Sequence, residues 1–299
     1  MSGQLKEVRN RIKSTQSNLQ ITKAMKMVSA AKLRRAQDAI LLMRPYAVKL
    51  QEMLSNIVSN SEGSIDLALA AERPVEKVLL IVITSDRGLC GAYNSNLIKL
   101  TKQVIREKYQ EQFEKGHVTI LPIGKKGWEH FGKNGYKMNE TFWHLFAHLD
   151  FDHVKEAAAV AMEGFTSGQY DAVEIIYSQF KNAATQFYIS EQFLPIAKVE
   201  EEIPAGKGKK VAKADFIYEP EKDTLIAELM PKILNTQLYK AMLDANASEH
   251  GARMTAMDKA TENANELLRN YKISYNRARQ AAITTELTEI VSGAAALEG

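Results

Sequence analysis

From Gln4 to Asn60 the chain holds no glycine and a single proline, Pro45, while apolar residues recur every three or four positions: Leu5, Val8, Ile12, Leu19, Met25, Val28, Leu33, Ile40, Met43, Leu50, Leu54 and Ile57. This spacing predicts one very long helix, roughly 80 Å if unbroken at about 1.5 Å per residue. Pro45 is expected to bend it or mark a join, because a mid-helix proline removes a hydrogen bond and crowds the preceding turn. A second such stretch runs from about Lys222 to Ala296, with Leu225, Leu229, Ile233, Leu238, Met242, Met254, Met257, Leu267, Tyr271, Tyr275, Ala282, Leu287 and Ile290 on its apolar face and Pro231 and Gly251 as weak points before Gly293. Two long helices at opposite ends of a chain, each with a stripe too narrow for burial all round, predict burial of the stripes on one another as an antiparallel coiled coil.

Between the helices the texture changes to short apolar runs. Strands are predicted at Val78–Thr84, Val118–Ile123, Ala172–Ser178 and Gln186–Leu194, with Lys137–Trp143 as a further candidate; helices are predicted at Asn94–Tyr109, Lys125–Phe131 and Asp152–Phe165. The alternation implies a small, mostly parallel, Rossmann-like α/β domain. The expected organisation is an N-terminal coiled-coil helix over 1–60, a connection over 61–76, the α/β domain over 77–215 with a basic loop near 204–214, and the C-terminal coiled-coil helix over 216–299. At 299 residues and 45% hydrophobic content the chain can bury a real core. One cysteine excludes an internal disulfide and a cysteine metal cluster. The start shows no signal-like apolar region, and no apolar run approaches the roughly 18 residues of a membrane span. A protein neither exported by a signal peptide nor integral to a membrane is therefore expected.

Chemistry could reside in Thr84-Ser85-Asp86-Arg87-Gly88-Leu89-Cys90-Gly91, the turn between the first predicted strand and its helix, where a dinucleotide fold places its phosphate loop. The turn lacks the G-x-G-x-x-G spacing, and no G-x-x-x-x-G-K-[ST] occurs anywhere in the chain. Cys90 has no base in sequence that would activate it, and the six histidines form no readable triad or zinc spacing. Charge is the stronger signal. The overall net charge is only +3, yet the first helix carries eleven lysines and arginines against Glu7, Asp38 and Glu52, a local +8. A solvated face, a nucleic acid and an acidic protein surface all fit that excess. The far C-terminus ends in small, uncharged side chains, which suits insertion into a close-fitting surround as well as simple fraying.

Several segments together resemble the gamma-subunit family of F-type ATP synthases, over essentially the whole chain. They are Ile21 to Val28 and Arg44-Pro45-Tyr46-Ala47 in the first helix, the Ser85–Asn94 turn, Ser248-Glu249-His250 with Ala252-Arg253-Met254, and Tyr275 to Ala296. The last block is the most specific, through Ile283-Thr284, Glu286, Glu289 and Gly293-Ala294. The resemblance implies a central-stalk rotor in a ring of three alpha and three beta subunits, turned by the membrane ring of c subunits and contacting epsilon. It implies no catalysis by this chain, no cofactor or metal, no nucleic acid, and membrane association through the complex alone. It further implies contacts to beta by Met25 and Lys26, Asp86 and Arg87, and Arg279, Gln280, Thr284, Glu286 and Glu289. Lys26 stands where some relatives carry an acid, and the inserted cysteine pair of chloroplast-type subunits is missing. The absence of a transit-like start favours a bacterial protein at the cytoplasmic face of the inner membrane.

Overall fold

A computed structural model describes residues 2–59, 69–196 and 222–298; the basic loop near 204–214 and part of the expected connection over 61–76 lie outside the described residues. Two compact units make up the chain, one formed by residues 1–31 with 253–299 and the other by 32–252. Two long helices, α1 (Ser2–Ser59) and α6 (Lys222–Glu298), contribute to both. The expected join at Pro45 does not occur, for α1 continues through it. The amide that Pro45 lacks would have bonded the carbonyl of Leu41, and both residues sit on exposed helix surface, where water can take that carbonyl. Among the described residues no helix is long and apolar enough to cross a membrane.

In the first unit α1 and α6 run antiparallel. Arg9 Nη2 donates to the Tyr275 hydroxyl at 3.1 Å, Thr261 Oγ1 to Thr22 Oγ1 at 2.9 Å, and the Lys26 ammonium to Asp258 Oδ1 at 2.5 Å. In each pair the two residue numbers add to 283 or 284, which is the mark of an antiparallel register. The coiled coil expected from the two apolar stripes is thereby borne out.

The second unit is built on a four-stranded sheet in the order β2-β1-β3-β4. Strands β1 (Val78–Ile83), β2 (Val118–Ile123) and β3 (Ala172–Phe180) are parallel, and β4 (Gln186–Leu194) lies antiparallel beside β3. β1 is buried at all six positions, which is why it reads as an unbroken apolar run rather than an alternation. On one side Leu79, Ile81 and Ile83 pack with Ala157 and Ala161 of α5 (Phe151–Thr166) and with Leu234, Leu238 and Met242 of α6. On the other, Val78, Leu80 and Val82 pack with Tyr93 and Leu97 of α2 (Tyr93–Lys108) and Phe131 of α4 (Lys125–Lys133). Between α2 and β2 lies one short helix, α3 (Gln110–Glu114).

Gly251 lets α6 lie against the β3–β4 hairpin, where an added Cβ would stand 3.2 Å from the Ala183 carbonyl oxygen. One charge is buried in the sheet. Burial alone would raise the pKa of Glu174, but hydrogen bonds from Lys108, Ser190 and Tyr109 outweigh it and hold the carboxyl below its usual value. The candidate strand at Lys137–Trp143 is corrected to a single bridge. The Ile120 amide donates to the Lys137 carbonyl and the Asn139 amide to the Ile120 carbonyl, after which the chain turns away and Trp143 stacks on Trp128 with ring centroids 5.1 Å apart.

Candidate functional site

The corner after β1 stands at the carboxyl ends of the parallel strands, where β1 has one neighbour on each side and doubly wound folds place their ligands. Its shape comes from a dense local network. Thr84 Oγ1 accepts the Gly127 amide at 2.8 Å, Ser85 Oγ donates to the Arg87 carbonyl at 2.7 Å, and the Ser85 amide donates to Asn94 Oδ1 at 3.0 Å. Asn94 Nδ2 also donates to Cys90 Sγ at 3.3 Å. Asp86 Oδ1 accepts the Lys125 amide at 3.1 Å, so a carboxylate of the chain itself occupies the first turn of α4, the position a bound phosphate would take. Cys90 is 2% exposed, with Ser85, Asn94 and the Arg87 carbonyl around its sulfur and no histidine or carboxylate among the partners described. The corner presents Arg87 and Leu89 to solvent and folds Cys90 inward.

The other predicted contact residues lie in the coiled-coil unit. Met25 is half-buried, and Ile21 and Val28, four before it and three after it, are exposed apolar residues on the same helix face. Lys26 points elsewhere. Its ammonium is held by Asp258, a partner on α6 that nothing in the local sequence announces. Both side chains of that pair remain more than 40% exposed, so Lys26→Met is expected to cost less than about 1 kcal/mol in chemical denaturation. A loss of about 2 kcal/mol or more would show that this pair orders the two helices more strongly than a surface ion pair can.

Arg279, Gln280, Thr284, Glu286 and Glu289 are all exposed but do not form one patch. Thr284 Oγ1 donates to the Gln280 carbonyl at 3.0 Å, placing those two on one side of α6. Glu286 and Glu289 instead line a groove of about 630 Å³ with Leu5, Lys6 and Arg9 of α1, so that two carboxylates of α6 stand across from two cations of α1. Part of the charge excess of α1 is thus met within the coiled coil. A separate stripe of Ile283, Leu287 and Ile290 is exposed. Sequence reasoning missed Asp258 as the partner of Lys26, and the left-handed backbone of Leu89, φ 64°.

The family model described as ATP synthase matches residues 4–297. The ATP synthase gamma chain of Cytophaga hutchinsonii is 52% identical over 293 residues, covering 98% of each chain. That of Flavobacterium johnsoniae is 52% identical over 296 residues, covering 99% of each. Among solved structures, a chain of the Euglena gracilis mitochondrial ATP synthase in an OSCP/F1/c-ring complex matches with a TM-score of 0.66 at 23% identity, over 99% of this chain and 95% of that one, a likeness of fold.

Proposed function

The chain belongs to the ATP synthase gamma-chain family, and from that premise we propose that it is the central-stalk rotor of a proton-translocating F-type ATP synthase. In this reading it couples the turning of a c-subunit ring to ATP synthesis and hydrolysis on three alpha and three beta subunits, contacts epsilon, and forms and breaks no bond of its own. It works at the cytoplasmic face of a bacterial membrane. The observation that carries the reading is identity near one half with bacterial gamma chains, sustained from one end of the chain to the other.

The geometry supports a mechanical role. A coupling element needs sides that interact differently with its surround, so that each orientation favours a different state of the neighbouring subunit. The coiled-coil unit has such sides: an apolar ledge at Ile21, Met25 and Val28, the polar pair Gln280 and Thr284, and the charged groove at Glu286 and Glu289. At the corner, Asp86 fills the anion position of α4, which supports a contact role over nucleotide chemistry. In the proposed assignment Met25, Lys26, Asp86, Arg87, Arg279, Gln280, Thr284, Glu286 and Glu289 meet beta, with Lys26 acting through its pair with Asp258. The division into coiled-coil helices at 1–60 and 216–299 around an α/β domain at 77–215 belongs to the same proposal.

Affinity purification of the chain from its own detergent-solubilised membranes tests this. The expected result is one copy per three of each of two larger nucleotide-binding subunits, with ATPase activity present only in the assembly. Recovery alone, or with nucleic acid, would overturn it.

A further inference from the structure

A solvent-open cavity of about 690 Å³ lies at the amino ends of the parallel strands, opposite the Thr84 corner. Lys77 precedes β1, His117 precedes β2 and Tyr170 precedes β3, so the parallel pairing itself gathers them. The segment from Lys137, which bridges to β2 through Met138, closes the cavity on its other side.

The lining is rich in donors. It holds the ammonium groups of Lys77 and Lys137 and the His117 imidazole with one carboxylate, Glu140, and among the described residues none of these four is in an ion pair. Lys77 Nζ reaches only the Gly168 carbonyl, at 3.4 Å, which leaves ammonium protons to spare. Asn139 Oδ1 is spent on the Thr141 amide and hydroxyl, at 3.1 and 2.7 Å, so its amide nitrogen is what remains for a ligand.

Tyr170 is the sharper sign. It is 5% exposed, and its ring occupies the room left by Gly164, where an added Cβ would stand 2.6 Å from it. The hydroxyl accepts from Gln169 Nε2 at 3.3 Å and from Thr119, and among the described residues no acceptor takes the phenolic proton. A buried hydroxyl with an unspent proton costs free energy until something receives it. Burial raises the pKa of Tyr170, so it stays a donor at neutral pH.

We propose that this cavity binds a small organic anion bearing at least two carboxylate or phosphoryl groups and a hydroxyl. Lys77, Lys137 and His117 hold the anionic groups, Tyr170 donates its proton to one of them, and Glu140 accepts from the hydroxyl. Metabolite sites typically span about 300–1,000 Å³, so the cavity admits a molecule of that class and is far larger than a single phosphate needs. The site goes beyond the rotor reading, which makes no use of this end of the sheet.

The test is lysine acetylation footprinting of the assembled complex by mass spectrometry. It reads each lysine of this chain separately, so anions bound on other subunits do not count. Citrate and fructose bisphosphate are the probes, which distinguishes carboxylate from phosphoryl recognition, and sulfate is the control. At least one probe is expected to protect Lys77 and Lys137 but not the exposed Lys99, with half-protection below about 1 mM. Tyr170→Phe and Lys137→Gln, each read at Lys77, should raise that concentration at least about tenfold. Lys137 is exposed, so its variant decides the matter if Tyr170→Phe fails to fold. No protection by either probe, equal protection by sulfate or at Lys99, or protection unchanged in the variants would overturn the site and leave the rotor reading standing.

Discussion

Gly124→Ala is expected to destabilise the α/β unit by about 3 kcal/mol or more, the range reserved for backbone clashes and left-handed strain combined. Gly124 joins β2 to α4 with φ 101°, and an added Cβ would lie 2.2 Å from the Thr84 carbonyl oxygen and 2.8 Å from Thr84 Oγ1. Neither atom can move freely. The Thr84 amide is bonded to the Ile123 carbonyl at 2.7 Å, and the hydroxyl receives the Gly127 amide. The change would therefore push apart the ends of two adjacent strands and displace Asp86 from the Lys125 amide. Gly135→Ala supplies the control, since Gly135 also has positive φ, 72°, but nothing lies within 4 Å of its added Cβ. That variant isolates the conformational cost, about 1 kcal/mol. Chemical denaturation of the two variants beside the parent measures the difference; equal losses would show that Thr84 yields and that the close approach is not rigid.

Asp244→Asn is expected to do the opposite and stabilise the protein near neutral pH. Asp244 lies on α6 within the α/β unit and is buried. Burial pushes its pKa up to about 6; Lys240 and Arg44 oppose that shift and Glu191 adds to it. A carboxyl whose folded pKa is raised contributes stability that is fully present below its unfolded pKa, near 4, and lost as pH rises through about 6. At about pH 7.5 the ionised group therefore costs on the order of 2–3 kcal/mol, which the neutral amide would recover. Urea titrations at about pH 7.5 and about pH 4.5 check the sign. The gain should be about 2–3 kcal/mol at the first and fall to about 1 kcal/mol at the second, where the folded carboxyl is protonated while its unfolded counterpart is still largely ionised, and an equal gain at both would assign the effect to packing instead.

Much of the fold was legible from local pattern. β2 and β4 begin and end where apolar runs meet turn residues, and the two long helices follow from apolar spacing of three and four, glycine-free in α1 from Gln4 onward and with Gly251 and Gly293 as the only glycines in α6. The errors have physical causes. Lys137–Trp143 mixes aromatic and apolar residues at strand-like spacing, but only Met138 pairs with Ile120, and Trp143 finds a better partner in Trp128. Pro45 reads as a bend or a join; the join is absent because the carbonyl it strands lies at exposed Leu41.

The candidate contacts were legible as residue types and not as geometry. The positive charge of Lys26 was visible, but its pairing with Asp258 depends on the register of two helices that are far apart in sequence. Likewise, Asp86 could be read as an exposed acid in a turn. That it accepts the amide of Lys125 follows only once β1 and β2 lie side by side. Contacts made by tertiary neighbours leave no spacing for a sequence to display.

By its register the coiled coil brings the start of α1 beside about residue 282 of α6, and from Ile283 onward a stripe of Leu287 and Ile290, with Val291 close by, faces outward. Exposed apolar surface of this kind attracts chaperones, proteases and other copies of the same chain. A newly made copy that has not reached its complex is thus identifiable as an orphan by its own tip. Cells making this chain in excess of its partners should hold it at a low level by degradation, and over-expression alone should yield aggregates, so that assembly sets its abundance as well as its function.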